Sequence, residues 1–340
     1  MQFFRHFSYR SFLTRAVMGI SALCLFASQG LSVSAATIKE EKIARNQALA
    51  IQSNEVANWP TGPVVSAESA ILMDADTGAI LYAKNIHQQE YPASTTKILT
   101  TLIASERCSM DEIVDFSYDA VHDIDPGSNH IAIDPGEQLT MEECLNAILI
   151  RSANEVSFAV AEHISGTTWQ DFAPIMNERA KELGCVDSNF VNPNGLPNED
   201  HYTSAYDLAM IGRAFFANEA LCKMTMTHML HILPSERQPD DIMEVNKMEL
   251  IPGGKYAYPY LVGCKTGYTD VARSTLVSCA EKDGMKLICV VMKDENPNYY
   301  EDTITLFDYG FSNFQRVNIS QTETKYNICL LYTSDAADDR

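Results

Sequence analysis

The chain has 340 residues, of which 46% are hydrophobic and 21% are charged, proportions that are ordinary for a folded globular protein. This length allows one large domain with a sizeable buried core. The formal net charge of −20 at pH 7 repels nucleic acid and anionic lipid. The composition therefore excludes both as electrostatic partners.

The N-terminal stretch 1–35 has the pattern of a secretory signal peptide. Three arginines and no acidic residue precede or flank an apolar run from Ala16 to Ala27, and small residues follow up to Ala35 and Ala36. The run is shorter than the roughly 20 residues that a membrane-spanning helix needs. We therefore expect cleavage after Ala35 or Ala36 and export of the mature chain.

Export would place the cysteines in an oxidising compartment. Eight of the nine cysteines follow the predicted cleavage site, and no C-x-x-C pair occurs among them. Cys144, Cys279 and Cys289 lie in apolar runs, where a thiol behaves as a small hydrophobic group. The sequence leaves the disulfide state open.

The hydrophobic pattern changes from strands to helices and back to strands. Residues 36–63 lack a period, which predicts a linker before a domain at 64–320. Segments 69–73 and 79–82 flank a turn with Gly78, which predicts a β-hairpin. The predicted helices are 141–150, 156–164, 169–183, 204–216 and 299–311, and the predicted late strands are 275–280 and 286–292. Because early and late strands must share a sheet, we predict an α+β fold: an antiparallel β-sheet flanked by helices, with an inserted helical lobe and an active-site cleft between the two parts.

Ser94 and Lys97 stand three residues apart at a predicted helix start, in the sequence PASTTK. This spacing places both side chains on one helix face. A lysine amine can take a serine proton if burial and a second cation lower its pKa enough to leave it neutral. Alone, S-x-x-K is a weak signal, because chance supplies about one per few hundred residues.

Two further motifs follow, each present once. Ser152-Ala153-Asn154 lies between two predicted helices, and Lys265-Thr266-Gly267 lies at a predicted strand. The sequence K-T-G is expected by chance about once in several thousand residues, and the ordered triple is far rarer. Together the three motifs indicate one active site.

This triple is the signature of the serine penicillin-recognising enzymes, and the flanking sequence resembles the low-molecular-mass D-alanyl-D-alanine carboxypeptidases. The resemblance runs from about residue 69 to residue 311 and includes DADTG at 74–78, YPASTTK at 91–97, NPNGL at 192–196 and HYTSAYDLA at 201–209. It implies a β-lactamase/transpeptidase-like fold and no cofactor or metal. It also implies a serine peptidase, at the outer face of the cytoplasmic membrane or in the cell wall, that removes the terminal D-alanine from peptidoglycan stem pentapeptides.

The resemblance implies three catalytic residues. Ser94 would attack the carbonyl between the last two D-alanines while Lys97 accepts its proton, and Ser152 would relay that proton to the leaving nitrogen. The partners implied are stem peptides ending in D-Ala-D-Ala and β-lactam antibiotics, which would acylate the same serine as covalent inhibitors.

Five further residues would bind the substrate. Asn154 would hold the peptide, Lys265 would keep the site electropositive and Thr266 would bind the terminal carboxylate. Gly267 would let the strand approach the substrate, and the backbone N–H of Tyr268 would form an oxyanion hole with that of the nucleophile.

The sequence departs from this family at two positions, which leaves fine substrate preference open. The segment 269–275 lacks the glycine expected beside Ala272, and Glu155 stands where an aspartate often follows the asparagine. His201 is interpreted as a packing or hydrogen-bonding residue. His228 and His231 lack an acidic third ligand, so we expect no metal site there.

Three alternative functions stay open at this point. A class A β-lactamase adds a glutamate in E-x-x-L-N after the second motif; Glu142 to Asn146 match this pattern but precede Ser152, so we interpret the match as coincidental. A D,D-endopeptidase uses the same residues, and the sequence does not separate it from a carboxypeptidase. An intact catalytic set disfavours a non-catalytic wall-binding scaffold.

The C-terminal stretch 321–340 is predicted to be a tail. From Cys329 onward it resembles the translation of a sequencing-library adapter, so we expect it to be non-native from there. On this interpretation, the C-terminal domain and amphipathic membrane anchor common in the family are missing, and the anchor would be the only membrane contact.

Overall fold

The computed structural model describes residues 37–316. The predicted signal peptide and the tail from residue 321 lie outside this range. Within it, all seven cysteines are free thiols and five of them are buried. No helix in residues 37–316 combines the length and the apolar character needed to cross a bilayer.

The helices of this range are α1 (37–47), α2 (Lys97–Arg107), α3 (Tyr118–His122), α4 (Met141–Asn146), α5 (Asn154–Ser165), α6 (Phe172–Glu182), α7 (Ala205–Phe216), α8 (Glu219–Met226) and α9 (Asn298–Asn313). The strands are β1 (Ser69–Asp74), β2 (Ile80–Lys84), β3 (Ile113–Asp115), β4 (Gln138–Thr140), β5 (Met229–Ile232), β6 (Ile242–Val245), β7 (Leu261–Thr269), β8 (Arg273–Lys282) and β9 (Met285–Asp294). A 3₁₀ turn, Ala93–Thr96, leads into α2, and a π-helical turn, Ala147–Arg151, follows α4.

A five-stranded antiparallel sheet joins the two ends of the domain, in the order β2-β1-β9-β8-β7. The early hairpin and the late strands share this sheet, and the segment from α2 to β6 is inserted between β2 and β7. This arrangement confirms the predicted α+β fold with an inserted helical lobe.

Both faces of the sheet are covered, because alternate residues of each strand point to opposite faces. Ile71 and Met73 of β1 belong to the core that also contains Ile211 of α7, whereas Leu72 belongs to the core that contains Phe307 of α9. All five side chains are fully buried. Burying each stabilises the fold by about 1.5–3 kcal/mol, which fixes the sheet that carries β7.

The predicted helix at 141–150 begins at Met141, as expected, but does not stay α-helical. Thr140 and Glu143 form a capping box at its start. From Ala147 to Arg151 the hydrogen bonding becomes π-helical, and Ser152 then adopts a left-handed conformation with φ +63°. Single π-helical turns of this kind frequently occur at functional sites.

The described part of the predicted linker, 37–63, contacts the domain. Asn46 Nδ2 donates to the Ser66 carbonyl oxygen at 3.0 Å, and Trp59 Nε1 donates to the Leu81 carbonyl oxygen at 2.8 Å. Because these contacts are made by polar atoms of individual side chains, they do not require a periodic pattern of hydrophobic residues in the sequence. The predicted domain boundaries stay a prediction.

Candidate active site

The three motifs meet in a cleft between the sheet and the helical lobe. Ser94 lies in the 3₁₀ turn before α2, Ser152 lies between the π-helical turn and α5, and Lys265 lies in β7. Residues of all three motifs line the cleft, whose volume is about 530 Å³. The fold thus brings together side chains that are up to 171 positions apart in sequence, the separation of Ser94 and Lys265.

The turn that carries Ser94 is strained and tightly packed. Ala93, which precedes the serine, is buried and has φ +51°, a conformation that costs a residue with a Cβ atom about 1–2 kcal/mol. Thr95 Oγ1 donates to the Pro92 carbonyl oxygen at 2.7 Å, and Thr275 Oγ1 of β8 donates to the same oxygen at 3.0 Å. These bonds hold the turn against the sheet and leave Ser94 half-buried at the cleft.

Lys97 is fully buried beneath Ser94. Its Nζ atom lies 3.1 Å from Ser94 Oγ, 2.7 Å from Asn154 Oδ1 and 2.6 Å from the Asn194 carbonyl oxygen. A neutral amine has two N–H donors and one lone pair. The amide and carbonyl oxygens accept the two donors, so the lone pair is available to the Ser94 hydroxyl.

The surroundings of Lys97 favour this neutral amine. Burial, and next the positive charge of Lys265, lower the pKa of Lys97 well below its ordinary value of 10.5, while the negative charge of Glu155 acts in the opposite direction. Glu155 is itself buried, and its Oε1 atom accepts a hydrogen bond from the Ile131 backbone nitrogen at 2.7 Å. The lowered pKa favours the neutral form that can accept the Ser94 proton.

Lys265 links the second motif to the third. It is only 2% exposed, and its Nζ atom donates to Ser152 Oγ at 3.1 Å and to the Thr266 carbonyl oxygen at 2.9 Å. Burial lowers the pKa of Lys265 to about 8. The side chain therefore carries positive charge at neutral pH and presents it to Ser152.

Strand β7 passes very close to the nucleophile at Gly267. A Cβ atom at this position would lie 2.8 Å from the Ser94 backbone nitrogen and 2.5 Å from Thr275 Oγ1. Any larger residue would push β7 away from the turn. The close approach brings the backbone of β7 at Gly267, the residue before Tyr268, alongside the backbone nitrogen of Ser94.

The comparisons with known proteins agree with this geometry. A family model described as D-alanyl-D-alanine carboxypeptidase, peptidase S11, matches residues 56–296. The chain belongs to this carboxypeptidase family. It is 37% identical over 252 residues to the D-alanyl-D-alanine carboxypeptidase DacF of Bacillus subtilis, covering 73% of this chain and 63% of that one. It is 32% identical over 263 residues to DacB2 of Mycobacterium tuberculosis, covering 74% and 84% of the two chains.

Solved structures of the same group share the fold. Penicillin-binding protein 6B of Escherichia coli superposes with a TM-score of 0.69 at 29% identity, covering 79% of this chain and 85% of that chain. The match covers most of both chains, which supports the α+β architecture described above.

Sequence analysis gave no role to Asn194, although it singled out the segment NPNGL as typical of the carboxypeptidase family. The contact to Lys97 comes from the Asn194 backbone, which explains why residue type alone did not reveal it. Asn192 Oδ1 accepts a hydrogen bond from the Gly195 nitrogen at 2.7 Å and fixes the loop. Next to it, buried His201 contacts Thr96 Oγ1 at 2.9 Å and accepts from the Val191 nitrogen at 3.1 Å, which fits the expected hydrogen-bonding role.

Gly195 is expected to be irreplaceable. It has φ +83°, and an added Cβ atom would lie 1.8 Å from the carbonyl oxygen of Ala93 in the nucleophile turn. Gly166 is a matched control, because it has φ +73° and open space around the Cβ position. We expect Gly166→Ala to lower the free energy of unfolding by about 1 kcal/mol, and Gly195→Ala to lower it by about 3 kcal/mol or more with loss of activity. Urea unfolding of both variants measures this difference, and equal losses would contradict it.

The far wall of the cleft carries an ion pair that sequence analysis did not assign. Arg273 Nε and Nη2 donate to the two carboxylate oxygens of Glu295 at 3.0 and 2.6 Å, and the guanidinium lies 5.7 Å from the Tyr268 ring. Arg273 has φ +55° and occupies the position where the carboxypeptidase family pattern led us to expect glycine beside Ala272. Among the described residues that line the cleft, Glu295 is the only carboxylate.

The E-x-x-L-N match lies away from this cleft. Glu142 is exposed on α4, and the Glu143 carboxylate accepts hydrogen bonds from Thr140. Neither residue lines the cleft, whereas the three family motifs do. This supports the interpretation of the match as coincidental.

Proposed function

We propose that the protein is a serine-type D-Ala-D-Ala carboxypeptidase that removes the terminal D-alanine from peptidoglycan stem pentapeptides through an acyl-enzyme on Ser94. The observation that carries this proposal is the buried Lys97 amine, 3.1 Å from Ser94 Oγ, with both N–H donors accepted by other groups. The family supports the same activity. The chain covers 63% of the length of DacF and 84% of that of DacB2, so the activity in their names is applied to this chain only as part of the proposal.

Acylation would begin when Lys97 takes the Ser94 hydroxyl proton as Ser94 Oγ attacks the carbonyl carbon between the two D-alanines. The developing oxyanion would accept hydrogen bonds from the backbone nitrogens of Ser94 and Tyr268, since β7 closes on the nucleophile turn. Losing one such donor typically costs about 10²- to 10³-fold in rate. Ser152 would then relay the proton that Lys97 took from Ser94 to the leaving D-alanine nitrogen as the C–N bond breaks, so that Lys97 becomes neutral again and Ser152 keeps its hydroxyl.

Substrate binding would rest on the third motif. The terminal carboxylate would lie near Thr266 and the Lys265 ammonium, while Asn154, which already holds Lys97, would orient the peptide. Water enters the space vacated by D-alanine, and Lys97 or Ser152 would activate it for hydrolysis of the ester. The proton then returns to Ser94 Oγ, so the enzyme is regenerated.

A β-lactamase is the second candidate, and the cleft disfavours it. Rapid hydrolysis of an acylated penicillin needs a group that activates water while the opened ring still fills the site. Both oxygens of Glu295, the carboxylate lining the described cleft, are held by Arg273. We therefore propose that β-lactams act as long-lived covalent inhibitors.

A D,D-endopeptidase would use the same residues, and the substrate distinguishes the two activities. We expect release of free D-alanine from a pentapeptide ending in D-Ala-D-Ala and no cleavage of crosslinked muropeptide dimers. Chromatography of both digests tests this, and faster cleavage of dimers than of the pentapeptide would favour the endopeptidase. We further propose, from the predicted signal peptide, that the mature enzyme acts outside the cytoplasmic membrane.

The pH dependence of kcat/KM should report Lys265. This lysine must be protonated to attract the substrate carboxylate, and burial sets its pKa at about 8, so kcat/KM should fall as the pH rises through about 8. Lys265→Arg keeps the charge at any usable pH, and its alkaline limb should move upward or vanish even if its plateau is lower. His201, whose pKa is lowered to about 3 by burial, stays neutral throughout. The same alkaline limb in both enzymes would contradict this assignment.

A further inference from the structure

Three metal-ligating side chains gather at the end of the helical lobe, outside the cleft. Cys108 directly follows α2, Glu112 directly precedes β3, and His163 lies in the last turn of α5. One ligand atom from each lies within 4.8 Å of the other two. None of the three lines the cleft, and α2 separates Cys108 from Lys97 by about 16 Å.

The cluster is organised around the carboxylate. His163 Nε2 lies 2.9 Å from Glu112 Oε2, and Glu112 Oε1 accepts a hydrogen bond from the Ser109 nitrogen at 2.7 Å. Burial, and then the negative charge of Glu112, raise the pKa of the Cys108 thiol to about 11. The Glu112 carboxylate thus lies beside both an imidazole and a thiol, and Cys108 also packs against the edge of the hydrophobic core.

A dissolved ion can reach the cluster. The side chain of His163 is 25% exposed and that of Glu112 is 41% exposed, and Cys108 is half-buried. Of the seven cysteines in residues 37–316, only Cys108 and Cys185 are not buried. The thiol of Cys185 points to the Asp207 carbonyl oxygen at 3.6 Å instead.

The donor set decides which ion fits. Sulfur, imidazole nitrogen and carboxylate oxygen are the three donor types of protein zinc sites, and three protein ligands plus a water is an established zinc coordination. Calcium and magnesium prefer oxygen donors throughout. These donor types therefore favour zinc and similar late divalent transition metals over calcium and magnesium.

We propose that Cys108, Glu112 and His163 bind one zinc ion, with water completing the coordination, and that this ion joins the C-terminal ends of α2 and α5. The N-terminal residues of the same two helices are Lys97 and Asn154, whose side chains contact each other at 2.7 Å. The ion would stabilise the helix pair from its opposite end and take no part in the reaction.

The test is metal titration of the chelator-treated, thiol-reduced full chain. We expect one Co²⁺ per chain with a thiolate-to-cobalt absorption band, displacement of this band by Zn²⁺, and a melting temperature that rises with Zn²⁺. Cys108→Ser should remove the band, weaken Zn²⁺ binding at least about 10-fold and abolish the melting shift. Cys185→Ser, the matched control, should keep all three properties.

His163→Gln removes the imidazole, keeps every thiol and should also weaken Zn²⁺ binding at least about 10-fold. Labelling of each variant by a fluorescent penicillin shows that it is folded, independently of metal binding. An absent cobalt band in the unmodified chain, a band that survives Cys108→Ser, or a band lost equally in Cys185→Ser would overturn the proposal. These outcomes leave the proposed peptidase function untouched, since they concern a separate site.

Discussion

Ser94→Ala is expected to abolish both D-alanine release and labelling by penicillin, with a rate loss of at least about 10⁴-fold, while the protein stays folded. The substitution removes the oxygen that forms the acyl bond, and the alanine methyl group cannot act as a nucleophile. In the structure Ser94 Oγ contacts Lys97 Nζ at 3.1 Å and is half-buried, so its loss leaves no cavity in the core. Gel fluorescence and a D-alanine assay measure the two activities.

Ser105→Ala is the matched control for this variant. Ser105 lies in α2, and its hydroxyl donates to the Leu102 carbonyl oxygen at 2.8 Å, away from the cleft. This variant should keep full labelling and full D-alanine release. Labelling retained in Ser94→Ala would show that the nucleophile is a different residue.

Lys97→Arg is expected to slow acylation as severely as Lys97→Ala, by at least about 10³-fold. The proposed role of Lys97 requires a neutral amine, which burial and the charge of Lys265 favour by lowering the pKa of Lys97. A guanidinium stays protonated at any usable pH and cannot accept the Ser94 proton. Stopped-flow acylation by a chromogenic β-lactam measures the rate.

Lys265→Arg provides the comparison that separates a proton acceptor from a fixed charge. At position 265 the proposed role is positive charge near the substrate carboxylate, which arginine also supplies. We therefore expect Lys265→Arg to acylate at least about 10-fold faster than Lys97→Arg. Near-normal acylation by Lys97→Arg would rule out its role as the general base, and thermal unfolding of both variants controls for misfolding.

The sequence contains enough information to predict the fold and the meeting of the three motifs, because these depend on side-chain type and spacing. Short apolar segments at 69–73 and 286–292, each next to a turn, predicted strands that the sheet contains, and three short motifs predicted one cleft. Such patterns are local, and each local preference agrees with the final fold.

Features that depend on backbone position could not be predicted in the same way. The acceptor that Asn194 offers to Lys97 is a carbonyl oxygen, which any residue type possesses. The left-handed conformation of Ser152 arises where a π-helical turn ends, and a period of three and four residues does not distinguish that turn from α-helix. Both features come from tertiary packing around the cleft.

The position beside Ala272, where the family pattern has glycine, is a case in which the sequence showed a departure but not its structural effect. In the structure Arg273 keeps the positive φ that glycine would adopt easily, and its guanidinium pairs with Glu295, which lies 22 residues later in the chain. The pairing joins the first residue of β8 to the residue that directly follows β9, and neither residue alone indicates this part of the cleft wall.

The central claim is that Ser94 forms an acyl-enzyme that water releases for a peptide but not for a penicillin. Intact-mass analysis over several hours with benzylpenicillin, beside a D-alanine release assay with a D-alanyl-D-alanine pentapeptide, tests it most directly. The account predicts one penicillin adduct per chain, located on Ser94 and persistent for hours, together with many turnovers of the peptide. A rapid return to the mass of the free enzyme with steady consumption of penicillin would contradict it and would make the protein a β-lactamase.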